Sequence, residues 1–351
     1  MPLPATQPPS ETVTYEFDGM PDIGETMEVA PGVFWLRMPL PFALNHINLW
    51  LLRDGDGWAI VDCGIARDEV KDAWRTIFAE RIGDDPVNKV VVTHFHPDHM
   101  GLAGWLCEHF NSDLWATQSE WTFARLARMQ QGEDTAAQFR RFYRGAGFAP
   151  EMLGDVDQRS FSYAERVLQP PPSFHRLVHG HELEIDGRAW RVMVGTGHSP
   201  EHACLYCAEL GLLISGDQIL PKISPNISIW PQEPDGNPLQ LYLESLPQFA
   251  ELPADTLVLP SHNWPFRGLH GRLDELAHHH DERLEETLAA CDAPRTGFDI
   301  LRHLFRRELD GHQMFFAIGE SLAHLHYLVG LGRLRRDRRE DGVFEFSRVD
   351  G

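Results

Sequence analysis

Five imidazoles and two carboxylates fall in four short stretches of this chain. The first stretch is Thr93-His94-Phe95-His96-Pro97-Asp98-His99. The others are Gly197-His198-Ser199, Gly216-Asp217 and Ser261-His262-Asn263. Imidazole and carboxylate suit Zn²⁺, Mn²⁺ and Fe²⁺, and this is the ligand count of two such ions held side by side. Two ions about 4 Å apart can activate a water and polarise a substrate oxygen together. With 19 histidines in 351 residues, one histidine-rich loop would be unsurprising. The argument therefore rests on where the stretches sit.

Each stretch follows a predicted strand. Val90-Val91-Val92 is a continuous apolar run after Pro86, as expected of a strand buried on both faces, and Gly101 to Phe110 after the cluster reads as a helix. Trp190-Arg191-Val192-Met193-Val194 alternates and leads to His198. Gly211-Leu212-Leu213-Ile214-Ser215 leads to Asp217, and Thr256-Leu257-Val258-Leu259-Pro260 leads to His262. Carboxyl ends of strands are where open α/β sheets place their ligands. Four such placements in one chain predict that several strand ends converge on one rim.

At this point the chain resembles the metallo-β-lactamase-fold hydrolases over roughly residues 30 to 265. Their signature is His-x-His-x-Asp-His followed by a His, an Asp and a His at later strand ends. The resemblance implies an α/β fold, an αββα sandwich. It implies one divalent ion held by His94, His96 and His198, a second held by Asp98, His99 and His262, and Asp217 bridging them. Zinc is the ion expected, with manganese or iron as alternatives. Ala59-Ile60-Val61-Asp62-Cys63-Gly64 matches the family's first motif, where the aspartate orients ligands rather than binding metal, so Asp62 takes that role. His202 falls where many members carry a further histidine and is read as supporting or structural. Position 217 is Asp, not the Cys of one antibiotic-hydrolysing branch. The cluster also lacks the Glu of the di-iron oxygen-reducing branch. What remains resembles the glyoxalase II-like and winged-helix-appended hydrolases.

The expected enzyme is a metal-dependent hydrolase in which a metal-bridging hydroxide, oriented by Asp98, attacks a carbonyl. A small-molecule thioester or lactone/ester is the expected substrate. Two alternatives stand beside it: a phosphodiesterase or endoribonuclease that uses the appendage, and a catalytically silent metal-binding regulator.

Composition sets the remaining limits. A formal charge of −21 repels polyphosphate backbones at long range and argues against general nucleic-acid binding. No run of 18 apolar residues suits a membrane span. Residues 1–10, rich in proline, lack the basic start and apolar core of a signal peptide. The five cysteines, at 63, 107, 204, 207 and 291, are odd in number and scattered, which fits a cytoplasmic protein. Cys204 and Cys207 form a C-x-x-C on a predicted strand, where residues three apart face opposite sides, so both are read as packing residues.

A chain this long predicts more than one core. Residues 1–25 read as a flexible leader ending near Tyr15-Glu16-Phe17. Residues 26–264 read as the catalytic domain, with a hairpin across Asp54-Gly55-Asp56-Gly57. Residues 118–170 form a helical insertion between ligand motifs. It is expected either to lie over the site, with Trp121, Phe139, Arg140, Arg141, Phe142, Tyr143 and Arg144 available to an acyl chain and an anionic group, or to be a small helical pair that packs its own aromatics or makes a homodimer contact. Lys222, Asn226 and the pair Asn45-His46 are candidates for the site's edge. Residues 265–351 read as three helices and a hairpin, winged-helix-like, with five arginines between 333 and 339. His278-His279-His280 is expected on a solvated helix face.

Overall fold

The computed structural model describes residues 12–349, except 43, 131 and 155–161. Its core is a pair of sheets. The larger has seven strands in sequence order: β1 (Thr26–Ala30), β2 (Val33–Pro39), β3 (His46–Asp54), β4 (Gly57–Val61), β5 (Val87–Val91), β6 (Asp113–Ala116) and β7 (His175–Arg176). β1 to β4 form an antiparallel meander, and β4 to β7 run parallel. The smaller sheet holds β8 (Glu182–Ile185), β9 (Arg188–Gly195), β10 (His202–Cys207), β11 (Leu212–Gly216) and β12 (Leu257–Pro260), in the order 12-11-10-9-8.

Period-two alternation sorts the side chains into layers. In β3, Trp50 and Leu52 face the smaller sheet, while Ile47, Leu49 and Leu51 face the helices Asp68–Ile77 and Ala103–Phe110. In β10, Leu205 and Cys207 point between the sheets, whereas Cys204 points to the far side. The two halves of the C-x-x-C thus belong to different cores. The far side of the smaller sheet packs on the helices Pro238–Ser245, Leu269–Ala290 and Gly311–Gly330. The result is the αββα sandwich.

Strand direction explains the rim. β9 and β11 are both antiparallel to β10, and β12 is parallel to β11. All three therefore run the same way and end together. β4 and β5 end beside them across the sheet interface, where Ala203 N–H donates to Thr93 O at 2.8 Å.

Several segments differ from expectation. Residues 1–11 of the expected leader lie outside the described residues. Val13, however, is buried, Thr14 exchanges backbone hydrogen bonds with Arg267, and Phe17 meets Trp35. Alternating apolar side chains at 13, 15 and 17 hold this stretch to the body rather than leaving it free. The C-terminal region has the expected three helices, Leu269–Ala290, Gly297–Leu304 and Gly311–Gly330, and then the hairpin β13 (Leu334–Arg338) and β14 (Phe344–Arg348). Its core is continuous with that of the smaller sheet: Phe266, Leu276 and Leu325 share one apolar cluster with Leu213, Tyr242 and Val258. The three consecutive histidines are not one solvated face. His278 is exposed, but His280 is buried against His324, because consecutive helical residues diverge by about 100°.

Candidate metal centre

Four strand ends, those of β5, β9, β11 and β12, bring all seven predicted side chains together. His94, His96, His198 and Asp217 offer ligand atoms that all lie within 4.8 Å of one another, and so do Asp98, His99 and His262. Asp217 faces both groups. Its Oδ2 is 3.5 Å from His198 Nε2, and its Oδ1 is 3.5 Å from His262 Nε2 and 3.6 Å from His99 Nε2. Asp98 Oδ2 lies 3.6 Å from His262 Nε2 and 3.8 Å from His99 Nε2.

Hydrogen bonds behind the rings fix which nitrogen faces inward. His198 Nδ1 donates to Asn226 O at 2.9 Å, His262 Nδ1 to His46 O at 3.1 Å, and His99 Nδ1 to Asp62 Oδ2 at 2.8 Å. A neutral imidazole that donates from Nδ1 leaves a bare lone pair on Nε2. Those lone pairs point at carboxylate oxygens and at each other: His94 Nε2 lies 3.2 Å from His198 Nε2 and 2.9 Å from His96 Nδ1. His99 Nε2 and Asp217 Oδ1 are buried with no hydrogen-bond partner. Acceptors crowded on acceptors repel unless a proton or a metal cation lies between them. The donor set and its orphaned atoms therefore fit divalent metal ions.

The electrostatics agree. Burial and neighbouring imidazoles hold His94 and His96 well below the usual range, so both stay neutral, as ligands must. Burial opposes a charge on His99, yet Asp62, Asp98 and Asp217 overcome it and raise this ring well above its usual value. Burial likewise opposes ionised Asp217, but His262 and His99 hold its carboxyl well below the usual range. The pocket stabilises positive charge beside Asp217.

Asp62 sits in the left-handed region at φ 64°, and its carboxylate accepts from Thr93 N, Thr93 Oγ1 and His99 Nδ1. It touches the His99 ring from behind. His202 is not aimed at the cluster. Its Nε2 accepts from Asp217 N at 3.0 Å and so fixes the backbone of the shared carboxylate. Gly216 makes room for that ring: a Cβ there would lie 2.4 Å from His202 Cε1, at a φ of +54° that side chains rarely adopt. Gly216→Ala should cost about 1–3 kcal/mol, the usual range for overpacking. It should also weaken metal binding by displacing Asp217. Thermal unfolding of the metal-free protein and a metal titration measure the two effects, and an unchanged melting temperature would refute this account of Gly216.

Other edge candidates divide. Asn226 and His46 reach the ligands through backbone carbonyls, not through their side chains, and Lys222 is exposed. The insertion's aromatics mostly turn away from the His/Asp cluster: Tyr143 packs on Phe315, and Phe148 on Phe298. Arg140 pairs with Glu133. What the insertion does bring near the site is Glu120, which no motif marks. This carboxylate is wholly buried, and burial pushes it up to about 7 against the donors that favour its ionised form. Trp230, whose ring lies 6.4 Å from His96 and 6.4 Å from Phe316, forms an aromatic flank. Most of the C-terminal arginines are ion-paired: Arg333 with Glu285, Arg335 with Asp337, Arg336 with Asp235, and Arg339 with Asp341 and Glu345.

Comparison with known proteins agrees with this geometry. The family model described as Metallo-beta-lactamase superfamily matches residues 44–262, and one described as Metallo-beta-lactamase-like, C-terminal domain matches residues 284–349. The chain belongs to the metallo-β-lactamase superfamily. It is similar to the solved beta-lactamase domain protein from Burkholderia ambifaria, with 45% identity and a TM-score of 0.88 over 97% of this chain and 98% of that one. It is also similar to the probable metallo-hydrolase YqjP of Bacillus subtilis, 25% identical over 84% of this chain and 92% of the relative. A more distant relative is the acyl-coenzyme A thioesterase MBLAC2 of Gallus gallus, 26% identical over 54% of this chain and 63% of that one. No helix among the described residues is long and apolar enough to cross a membrane.

Proposed function

We propose that this chain is a dinuclear metal hydrolase that cleaves an acyl bond, a thioester or a lactone/ester. The observation that carries the reading is the shared carboxylate: Asp217 faces two separate ligand groups, one with each oxygen. His94, His96 and His198 would hold one ion and Asp98, His99 and His262 the other. We take both to be zinc. When bound, such ions supply Lewis acidity and a water acidic enough to act as a nucleophile near neutral pH.

The chain's own groups do the rest. Asp98 keeps 19% of its side chain exposed, the most open of the acidic ligands, and is placed to orient the attacking water and take its proton. Asn226 O, His46 O and Asp62 hold the rings in the tautomer that presents Nε2. Trp230 and Phe316 give an apolar acyl group a surface beside His96 and keep water from it. The chicken thioesterase among the relatives supports this class of bond. The paired C-terminal arginines of the winged-helix-like region offer little free positive charge to a phosphodiester strand, which leaves the nucleic-acid reading without a specific observation in its favour.

The test is a panel of acyl thioesters, lactones and phosphodiesters given to the zinc-loaded protein, with His96→Ala as the control for contamination. Acyl substrates should turn over. A chelator should abolish the activity, and added zinc should restore it. Turnover of phosphodiesters alone, or of nothing, would overturn the proposal.

A further inference from the structure

The proposed ligands come from two different sheets. His94 and His96 follow β5 of the larger sheet, and His198 follows β9 of the smaller. A metal position made from both is preformed only if the two loops keep a fixed separation before any ion binds.

Glu120 spans that gap. It lies in the first turn of the helix Gln118–Met129 and belongs to neither ligand loop. Its Oε2 accepts from Phe95 N at 2.9 Å, and Phe95 is the residue between His94 and His96. Its Oε1 accepts from Ser199 Oγ at 2.8 Å and from Glu201 N at 2.7 Å, just after His198. The contact is reciprocated. Glu201 Oε2 accepts from Ser119 N at 2.7 Å, and Glu201 O accepts from Thr117 Oγ1 at 2.7 Å. Four hydrogen bonds thus clasp the helix start to the His198 loop, and Glu120 adds a fifth to the His94–His96 loop.

The chemistry favours a carboxylate here over any neutral group of the same shape. A carboxylate is acceptor-only and can take three donors at once. A glutamine would turn its NH₂ toward Phe95 N–H or toward Ser199 and Glu201, leaving a buried donor unmet. Burying a carboxylate whose hydrogen-bond partners are two amides and a hydroxyl is costly. Here that cost falls where one side chain reaches both loops at once.

We propose that Glu120 is a positioning residue of the metal centre, which with Glu201 locks the His94–His96 loop to the His198 loop. The inference rests on the metal reading above and extends it to a residue that touches no ligand ring.

The experiment titrates Co²⁺ into the metal-free full chain and follows the visible absorption of the bound ion, with thermal unfolding of the metal-free protein in parallel. Glu120→Gln should weaken one of the two binding steps by about 10–100-fold, the usual cost of losing an outer partner. It should also change the spectrum of that step while leaving the other step within about twofold. Ser199→Ala, which removes one donor of three, should shift the same step less, and it keeps the test open if Glu120→Gln is insoluble. Equal affinities and superimposable spectra, whatever the melting temperature does, would overturn the proposal. Wild-type protein that binds no Co²⁺ would overturn the metal reading and this one with it. Wild-type protein that binds Co²⁺ but hydrolyses nothing would overturn only the hydrolase reading and leave the variants interpretable.

Discussion

Asp217→Asn should leave a folded protein whose hydrolytic activity falls by well over the roughly 10–100-fold that loss of an outer-sphere partner costs. The reason is geometric. One oxygen of Asp217 faces His198 and the other faces His262 and His99, so the carboxylate serves both ligand groups at once. Asparagine keeps the shape but offers a single neutral oxygen. Its NH₂ would then face one of the groups, where a cation is needed. The charge matters as much as the atoms. Burial works against an ionised Asp217, yet His262 and His99 hold its carboxyl well below the usual range, so the wild-type site presents a full negative charge between the two groups. The variant removes that charge from the middle of the site. Metal content per chain, by elemental analysis after dialysis, should fall together with kcat/KM on the acyl substrate found by the panel. A variant within tenfold of wild type on both measures would show that Asp217 is not shared.

The clustering of the seven side chains was legible because each lies just past a strand whose own pattern is legible. β5 reads as a buried run, β9 alternates, and β11 and β12 are short apolar segments. Once the strand directions agree, their ends must meet. Support from behind the ligands was far less legible. The acceptors for His198 and His262 are the carbonyls of Asn226 and His46, and a carbonyl carries no signal of residue type. Glu120 stands alone in a helix start whose partners are 25 positions before it and about 80 after it. Nothing local distinguishes it from a solvated first-turn acid, which helices favour in any case. His280 is a different kind of miss. Leu276, His280, Leu284 and Leu288 recur every four residues, and that spacing places the histidine on the buried stripe. The divergence of consecutive helical residues, which suggests exposure for the run, in fact turns one of the three onto that stripe. The boundary at 264/265 followed a change from strand to helix. Core membership follows packing instead, and a single apolar cluster crosses the boundary.

That shared core makes the second large prediction. A chain ending at residue 264 should fail to form a cooperatively folded catalytic domain. The cut removes Phe266, Leu269, Leu273, Leu276, Leu284, Leu288, Ile318 and Leu325, all buried against Met193, Leu213, Tyr242, Phe249 and Val258. Burying one such side chain is worth about 1.5–3 kcal/mol. Whole domains are stable by only about 5–15 kcal/mol. Losing the burial of all eight, about 12–24 kcal/mol, is as large as or larger than that margin, and the outer face of the smaller sheet becomes an open apolar surface. The cut also reaches the site. Buried Arg272, on the helix Leu269–Ala290, donates to Leu220 O at 2.6 Å and Ile223 O at 3.0 Å, anchoring the segment that leads away from Asp217. Ile229 N–H donates to Gly319 O at 3.1 Å, which ties the stretch bearing Asn226 and Trp230 to the helix Gly311–Gly330. Without those anchors the carbonyl behind His198 has no fixed place. Near-ultraviolet circular dichroism and a thermal melt of the 1–264 fragment decide the matter: aggregation or a broad, non-cooperative melt is expected. A soluble fragment with a sharp transition and full metal binding would mean that the C-terminal helices are an appendage after all, and that the smaller sheet is stable with its outer face bare.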